Sequence, residues 1–284
     1  MPLRIRTLLS LLAAFASLLV GSCGEKSAPG IRGGTAAAAS PPPVPKLVIG
    51  MEAEYPPFEF VDDKGQITGV SVEIGREIAT TLGREPEFRN IKFDGLITAL
   101  KTGSIDLIIS SMTATDERRQ SIDFSDPYVK NGLAVLVSKN SRVQKADDLK
   151  TAGSRIVVRL GTTGETWARK ELPQAKLVSL DSDPACVLEV INGSVDAWIY
   201  DQISIMNHHA RHPDATRALL APLREEVWAV GLTQGQPELK AKINQTLARF
   251  RAEGGFTRLA DKYLGKERDA MKAQGLPFVF ELGK

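Results

Sequence analysis

Apolar residues recur along this chain in two rhythms. The short unbroken runs Leu47-Val48-Ile49-Gly50, Leu107-Ile108-Ile109 and Ile156-Val157-Val158 have the length and branching of buried strands. Other stretches repeat at helical spacing. Ile74, Ile78 and Leu82 mark one face of a helix from Val72 to Leu82, with Gly83 as its C-terminal cap. Gly95 to Leu100 predicts a short helix, and Phe88 starts another extended piece. Glu165 to Leu172, Leu239 to Phe250 and Phe256 to Leu264 predict further helices. Strands alternating with helices predict an α/β fold with a parallel sheet. A short echo runs through the pattern. Gly103-Ser104-Ile105-Asp106 leads into one buried strand, and Gly193-Ser194-Val195-Asp196 leads into Ala197-Trp198-Ile199-Tyr200. Two similar α/β units would produce this, and so would a common helix–Gly–strand connection.

The N-terminus follows neither rhythm. Arg4 and Arg6 precede an apolar run from Leu8 to Val20, which ends at Gly21-Ser22-Cys23. The run is too short and wrongly flanked for a membrane span, and residues 1–22 are expected to be a signal peptide. A small-residue site ending in Cys resembles a bacterial lipoprotein signal, with Cys23 as the lipidated residue. An ordinary secretory signal with an incidental Cys is the other reading, and both export the protein. Residues 23–45 are rich in Gly, Ala, Ser and Pro, cannot bury a core, and are expected to form a flexible tether.

Composition then narrows the function classes. The formal charge is +2, and loss of Arg4 and Arg6 with the signal leaves the remainder near neutral. No basic patch calls for nucleic acid. Beside Cys23 only Cys186 remains, so no disulfide framework is available, and Cys186 is expected on a buried helix face. His208, His209 and His212 are the only histidines. Two imidazoles at i,i+4 without a third ligand make a weak zinc case, and a surface helix accounts for them equally. No serine sits in a nucleophile elbow. No cofactor and no metal are expected, and the chain does not read as an enzyme.

The candidate chemistry begins at Ser110-Ser111-Met112-Thr113-Ala114-Thr115-Asp116-Glu117-Arg118, directly after the buried run 107–109. Hydroxyls, backbone N–H groups and a guanidinium at one strand end suit a small carboxylate, since a planar guanidinium binds both oxygens. Spacing alone equally fits a helix capped at Thr115 or Asp116 with a solvated Arg118. Gly161-Thr162-Thr163-Gly164 opens the next helix, where free N–H groups favour an anion, although a plain Thr N-cap explains the same residues. Asp201 follows a strand at its carboxyl end, where α/β proteins place ligand groups. Together these suit a free amino acid. Arg118, Ser111, Thr113 and the helix start at Thr162 and Thr163 would take the carboxylate, Asp201 the ammonium, and Tyr55 and Phe93 the aliphatic part.

Several ordered motifs carry a family resemblance: Tyr55-Pro56-Pro57-Phe58-Glu59-Phe60, Gly69 to Ile74, Phe93-Asp94-Gly95-Leu96, Gly103 to Asp106, Thr113 to Arg118, Ile122 to Tyr128, Gly161-Thr162-Thr163 and Asp196 to Asp201. Over about Leu47 to Gly265 the chain resembles bacterial extracellular solute-binding proteins of family 3, the polar amino-acid receptors of ATP-driven importers. The resemblance implies a periplasmic-binding-protein type II fold, two α/β lobes joined by two crossing strands. It places lobe 1 at 46–131 plus 227–265, lobe 2 at 132–226, and a C-terminal extension at 266–284. It implies a monomer that serves a membrane permease and captures a polar or cationic L-amino acid of the arginine, lysine or glutamine type. In the family the positions of Glu52 and Arg159 lie beside the ligand's side-chain end. Glu52 and Glu54 favour a cation there, whereas an inward Arg159 opposes one, and together a carboxylate and a cation could read an amide. The competing reading is a cyclohexadienyl dehydratase-like enzyme on the same fold. The chain departs from the family at Gly69-Val70-Ser71, a difference expected to affect packing and capping and not the pocket.

Overall fold

The structure is a computed structural model that describes residues 44–282. The expected signal peptide, Cys23 and all but the last residues of the expected tether lie outside the described residues. In the first stretch come β1 (Lys46–Met51), β2 (Glu54–Tyr55), β3 (Glu59–Val61), β4 (Ile67–Thr68), α1 (Val70–Thr81), β5 (Glu85–Asn90), α2 (Leu96–Lys101), β6 (Leu107–Ile108) and α3 (Asp116–Arg119). Next are β7 (Asp123–Ser138), β8 (Arg155–Arg159), α4 (Thr163–Glu171), β9 (Lys176–Leu180), α5 (Asp183–Ile191), β10 (Ala197–Asp201) and α6 (Gln202–Arg211). The chain continues through β11 (Thr216–Leu232), α7 (Pro237–Ala252), α8 (Gly255–Tyr263) and α9 (Gly265–Ala273).

The main sheet has the order β5-β1-β6-β11-β7-β10-β8-β9. It is mixed: the expected parallel sheet is present as two parallel sets, joined by antiparallel strands. β1 runs parallel to β5 and β6, and β8 runs parallel to β9 and β10. The long strands β7 and β11 are antiparallel to each other and stitch the two parallel sets into one sheet. Sequence periodicity did not reveal them, because each strand passes from one environment to another and keeps no single alternation. In their ladder Asn131 lies opposite Glu226 and Lys130 opposite Val227, with an irregularity between Leu219 and Arg224.

The two halves are built differently. Val135, Val137, Ile156, Val158, Ala168 and Ile199 pack in the second half, all from a contiguous stretch of chain. The first half is discontinuous. Leu47 and Ile49 of β1 and Ile74 and Ile78 of α1 share a core with Ile243, Leu247, Phe256, Leu259, Met271 and Val279. The tail packs back on the first half: Val279 is fully buried, and its carbonyl accepts from Lys130 N at 2.8 Å.

The short echo is a repeated clamp. Gly103 and Gly193 take left-handed φ values of 72° and 69°. Asp106 N donates to Val48 O, and its carboxylate accepts from Val48 N at 2.8 Å. Asp196 N donates to Arg155 O, and its carboxylate accepts from Arg155 N at 2.8 Å. Each clamp fixes the register of a strand against its parallel neighbour.

Candidate functional site

The ends of β1, β6, β8 and β10 converge on one cavity, where the two halves of the sheet face each other. Gly161 allows that approach. Its φ is 73°, and a Cβ there would lie 3.1 Å from the Cβ of Asp94 across the gap. Gly164 does the same for α4, since a Cβ would meet the Ile199 carbonyl oxygen at 2.5 Å. The helix therefore starts hard against β10, close to Asp201.

All ten residues expected to form a ligand site line this cavity: Glu52, Tyr55, Phe93, Ser111, Thr113, Arg118, Arg159, Thr162, Thr163 and Asp201. Thr115 is the N-cap of α3, accepting from Arg118 N at 3.1 Å, so the capping reading holds while the Arg118 side chain lines the cavity. The Arg118 guanidinium donates to the carbonyls of Thr113 at 2.8 Å and Gly161 at 3.1 Å, and lies over the Phe93 ring at 5.3 Å. Among the described residues no carboxylate lies within ion-pair distance of it. Burial pulls its pKa below the usual arginine value, and Glu226 and Asp201 are the leading charges acting against that shift.

The hydroxyls are engaged within the protein. Ser111 has φ 48°, the only left-handed non-glycine among the described residues, and its Oγ donates to Glu59 at 3.1 Å. Such a conformation costs about 1–3 kcal/mol and concentrates at functional sites. Thr113 and Thr163 each donate to Glu226 Oε2 at 2.9 Å. Thr162 donates to Arg159 O and caps α4 by accepting from Glu165 N. The N–H groups of Thr163 and Gly164, in the first turn of α4, have no acceptor within their own helix.

Asp201 is buried. Its carboxylate accepts from Tyr55 OH and from Asn131 Nδ2, both at 3.3 Å. Burial holds its pKa well above the usual carboxylate range, and the nearby charge of Glu226 adds to this. Among the described residues no cationic side chain pairs with it. Tyr55 stands edge-on to Tyr200 and Trp228, with centroids 6.1 and 5.9 Å away, which fixes its hydroxyl over Asp201.

Glu52 and Arg159 form an ion pair with each other, and both are 4% exposed. Arg159 also reaches Asp183 at 3.0 Å and Tyr200 OH at 3.0 Å. Lys92 lies 3.4 Å from Glu52 and 3.0 Å from Glu54. Arg159 thus points inward but is neutralised, and Glu54 is exposed and does not face the cavity. This end presents balanced charges.

Sequence reasoning missed Glu59, Glu226, Asp183, Tyr200 and Asn131. Glu59 is 1% exposed, and burial pushes its carboxyl up to about 8 although Ser71 and Ser111 donate to it. Ser71 therefore reaches the cavity through a 2.6 Å bond to Glu59, so the change at Gly69-Val70-Ser71 is not confined to packing and capping. Glu226 stands in the charged run Arg224-Glu225-Glu226, and only its contacts with Thr113 and Thr163, distant in sequence, mark it as internal. The histidines diverge: His208 packs on Trp198 and His209 bonds Thr216. Cys186 is buried on α5, and burial pushes its thiol up to about 12. Among the described residues no helix is long and apolar enough to cross a membrane.

A sequence model of the bacterial extracellular solute-binding proteins, family 3, matches residues 47–266. The L-cystine-binding protein TcyJ of Escherichia coli is 31% identical over 223 residues, covering 78% of this chain and 83% of TcyJ. The structure of an ancestral arginine-binding protein bound to arginine is similar with a TM-score of 0.71 and 32% identity, covering 77% of this chain and 98% of that one. The ancestral amino acid-binding protein AncCDT-1, a precursor of cyclohexadienyl dehydratase, gives 0.70 and 32%, covering 77% and 95%.

Proposed function

Because the chain belongs to the bacterial extracellular solute-binding proteins, family 3, we propose that it is the extracytoplasmic receptor of an amino-acid ABC importer. Its ligand is a polar or cationic L-amino acid of the arginine, lysine or glutamine type. One observation carries this reading. Arg118 has no carboxylate partner and Asp201 no cationic partner among the described residues, yet both line one cavity. A zwitterion satisfies both at once, whereas burying either charge unpaired is costly.

In this reading Arg118 and the first turn of α4 take the α-carboxylate, assisted by Ser111, Thr113, Thr162 and Thr163. Asp201 takes the ammonium, with Tyr55 and Phe93 flanking the side chain. Glu52 and Arg159 meet the far end as a pair, which suits an amide or a second polar group better than a lone charge. Lobe 1 (46–131 plus 227–265) and lobe 2 (132–226) close over the ligand by bending where β7 and β11 cross. Residues 1–22 direct export. Lipidated Cys23 and the tether 23–45 hold a monomeric receptor near its membrane permease.

One observation favours the enzymatic alternative. Glu59 lines the same cavity, and its carboxyl, raised to about 8, is protonated at neutral pH, as an acid for a dehydratase-like elimination requires. A single experiment separates the two. Protein freed of co-purified ligand is melted with each of the twenty amino acids and L-cystine. A ligand at a hundred times its Kd adds about 2.7 kcal/mol of stability. No shift with any of them, together with turnover of prephenate, sinks the receptor reading.

A further inference from the structure

We propose that Glu226 sets the affinity of this site by occupying the carboxylate cradle itself, and that a ligand must displace it. The inference rests on the receptor reading and goes beyond it. Glu226 Oε2 accepts from Thr113 Oγ1 and Thr163 Oγ1, each at 2.9 Å. Thr113 follows β6 in the first half and bridges to Trp228, while Thr163 opens α4 in the second half. One carboxylate oxygen therefore ties the two sides of the cavity together, as the α-carboxylate of a bound amino acid would.

A hydroxyl has a single proton to donate. Thr113 and Thr163 cannot serve Glu226 and an incoming carboxylate together, and two carboxylates at these two hydroxyls would repel each other. Glu226 has an exit. Its other oxygen accepts from Arg224 Nε at 3.1 Å, and the Arg224 side chain is 40% exposed. The Glu226 side chain itself is 1% exposed. Swinging outward would carry the carboxylate toward solvent still paired with its arginine, so it is not stranded. Its backbone lies opposite Asn131, whose side chain donates to Asp201, so the same ladder step touches both ends of the proposed zwitterion site.

The test uses Glu226→Gln and Glu226→Ala, with circular dichroism confirming the fold. Glu226→Gln keeps the shape and removes the charge. Affinities are measured by titration calorimetry for L-arginine, L-glutamine and L-cystine, using those the wild type binds, and for the corresponding amides, which lack the carboxylate. Both variants should bind the amino acids at least tenfold more tightly, about 1.4 kcal/mol, with the amides unchanged. Unchanged or weaker amino-acid binding overturns the proposal, as does an equal gain for the amides. X-ray scattering of the ligand-free proteins is a second readout. Glu226→Ala should be more expanded than the wild type, and equal dimensions overturn the tie between the halves. If the wild type binds none of these three, the amino acid that shifts its melting takes their place with its own amide, and scattering still judges the tie.

Discussion

Removing Arg159 should destabilise this protein severely, and should do so in a pH-dependent way. Arg159 is 4% exposed and lies between Glu52, 4% exposed, and Asp183, 7% exposed. Arg159→Met fills similar space but leaves two buried carboxylates without their main counter-charge. Breaking a buried pair in this way costs about 3–5 kcal/mol. The lower end applies, because Lys92 still stands 3.4 Å from Glu52. A loss of about 3 kcal/mol lowers the melting temperature of a domain this size by roughly 6–12 °C. Burial already raises the Glu52 pKa, and removing the cation raises it further. The folded variant then holds protons that the unfolded chain releases. The deficit against wild type is complete above the folded pKa and fades as pH falls toward the unfolded value of about 4.3. Urea denaturation at pH 7.5 and pH 4.5 measures this. Adding Glu52→Gln to Arg159→Met should restore stability at pH 7.5. A loss below about 1 kcal/mol at pH 7.5, or a deficit that does not shrink at pH 4.5, would refute the reasoning.

Burial holds the Asp201 pKa well above its usual range, so an arriving ammonium should expel a proton. Affinity should rise with pH until the free carboxylate is ionised, then level off. Calorimetry in buffers of different ionisation heat reads the proton directly, and uptake in place of release would count against the assigned role. Glu59, pushed up to about 8 by burial, binds a proton in the folded state that the unfolded chain has lost above about 4.3. Wild-type stability should therefore fall as pH rises from about 4.3 toward 8, and Glu59→Gln should flatten that slope; parallel curves would show that Glu59 does not titrate there. Arg118→Ala should abolish amino-acid binding while the melting temperature of the ligand-free protein moves by only a few degrees, since its hydrogen bonds go only to the two carbonyls. Gly164→Ala should destabilise by about 1–3 kcal/mol, because its Cβ would sit 2.5 Å from the Ile199 carbonyl oxygen; a wild-type denaturation midpoint would show that α4 can back away freely.

What could be read from the sequence was local. The runs 47–50, 107–109 and 156–158 became β1, β6 and β8, because uninterrupted branched residues admit few other fates. Gly83 sits just past the end of α1 with φ 64°, a conformation its missing Cβ permits. Seven of the ten cavity-lining residues lie in ordered motifs, Glu52, Ser111 and Arg159 lie outside them, and all ten line one space. The unread part depended on partners distant in sequence. β11 contains Arg224, Glu225 and Glu226, and only its pairing with β7 decides which of them turns inward. Likewise nothing local links Glu52 to Arg159, 107 residues on. A one-dimensional pattern names the groups at a strand end, and the fold decides whether they meet a ligand or each other.

The discontinuous first half has a consequence for the order in which the protein can be made. A chain growing from its N-terminus has finished β7 through β11 by Leu232. The core of Val135, Val137, Ile156, Val158, Ala168 and Ile199 is then available. The first half is not complete at that point. Leu47, Ile49, Ile74 and Ile78 must wait for Ile243, Leu247, Phe256, Met271 and Val279 before their apolar surface is covered. The earliest residues synthesised thus belong to the last core to close. During secretion that leaves greasy, unpaired surface on the emerging chain for as long as α7 and its successors are still in transit, a window in which a holding chaperone would find its substrate.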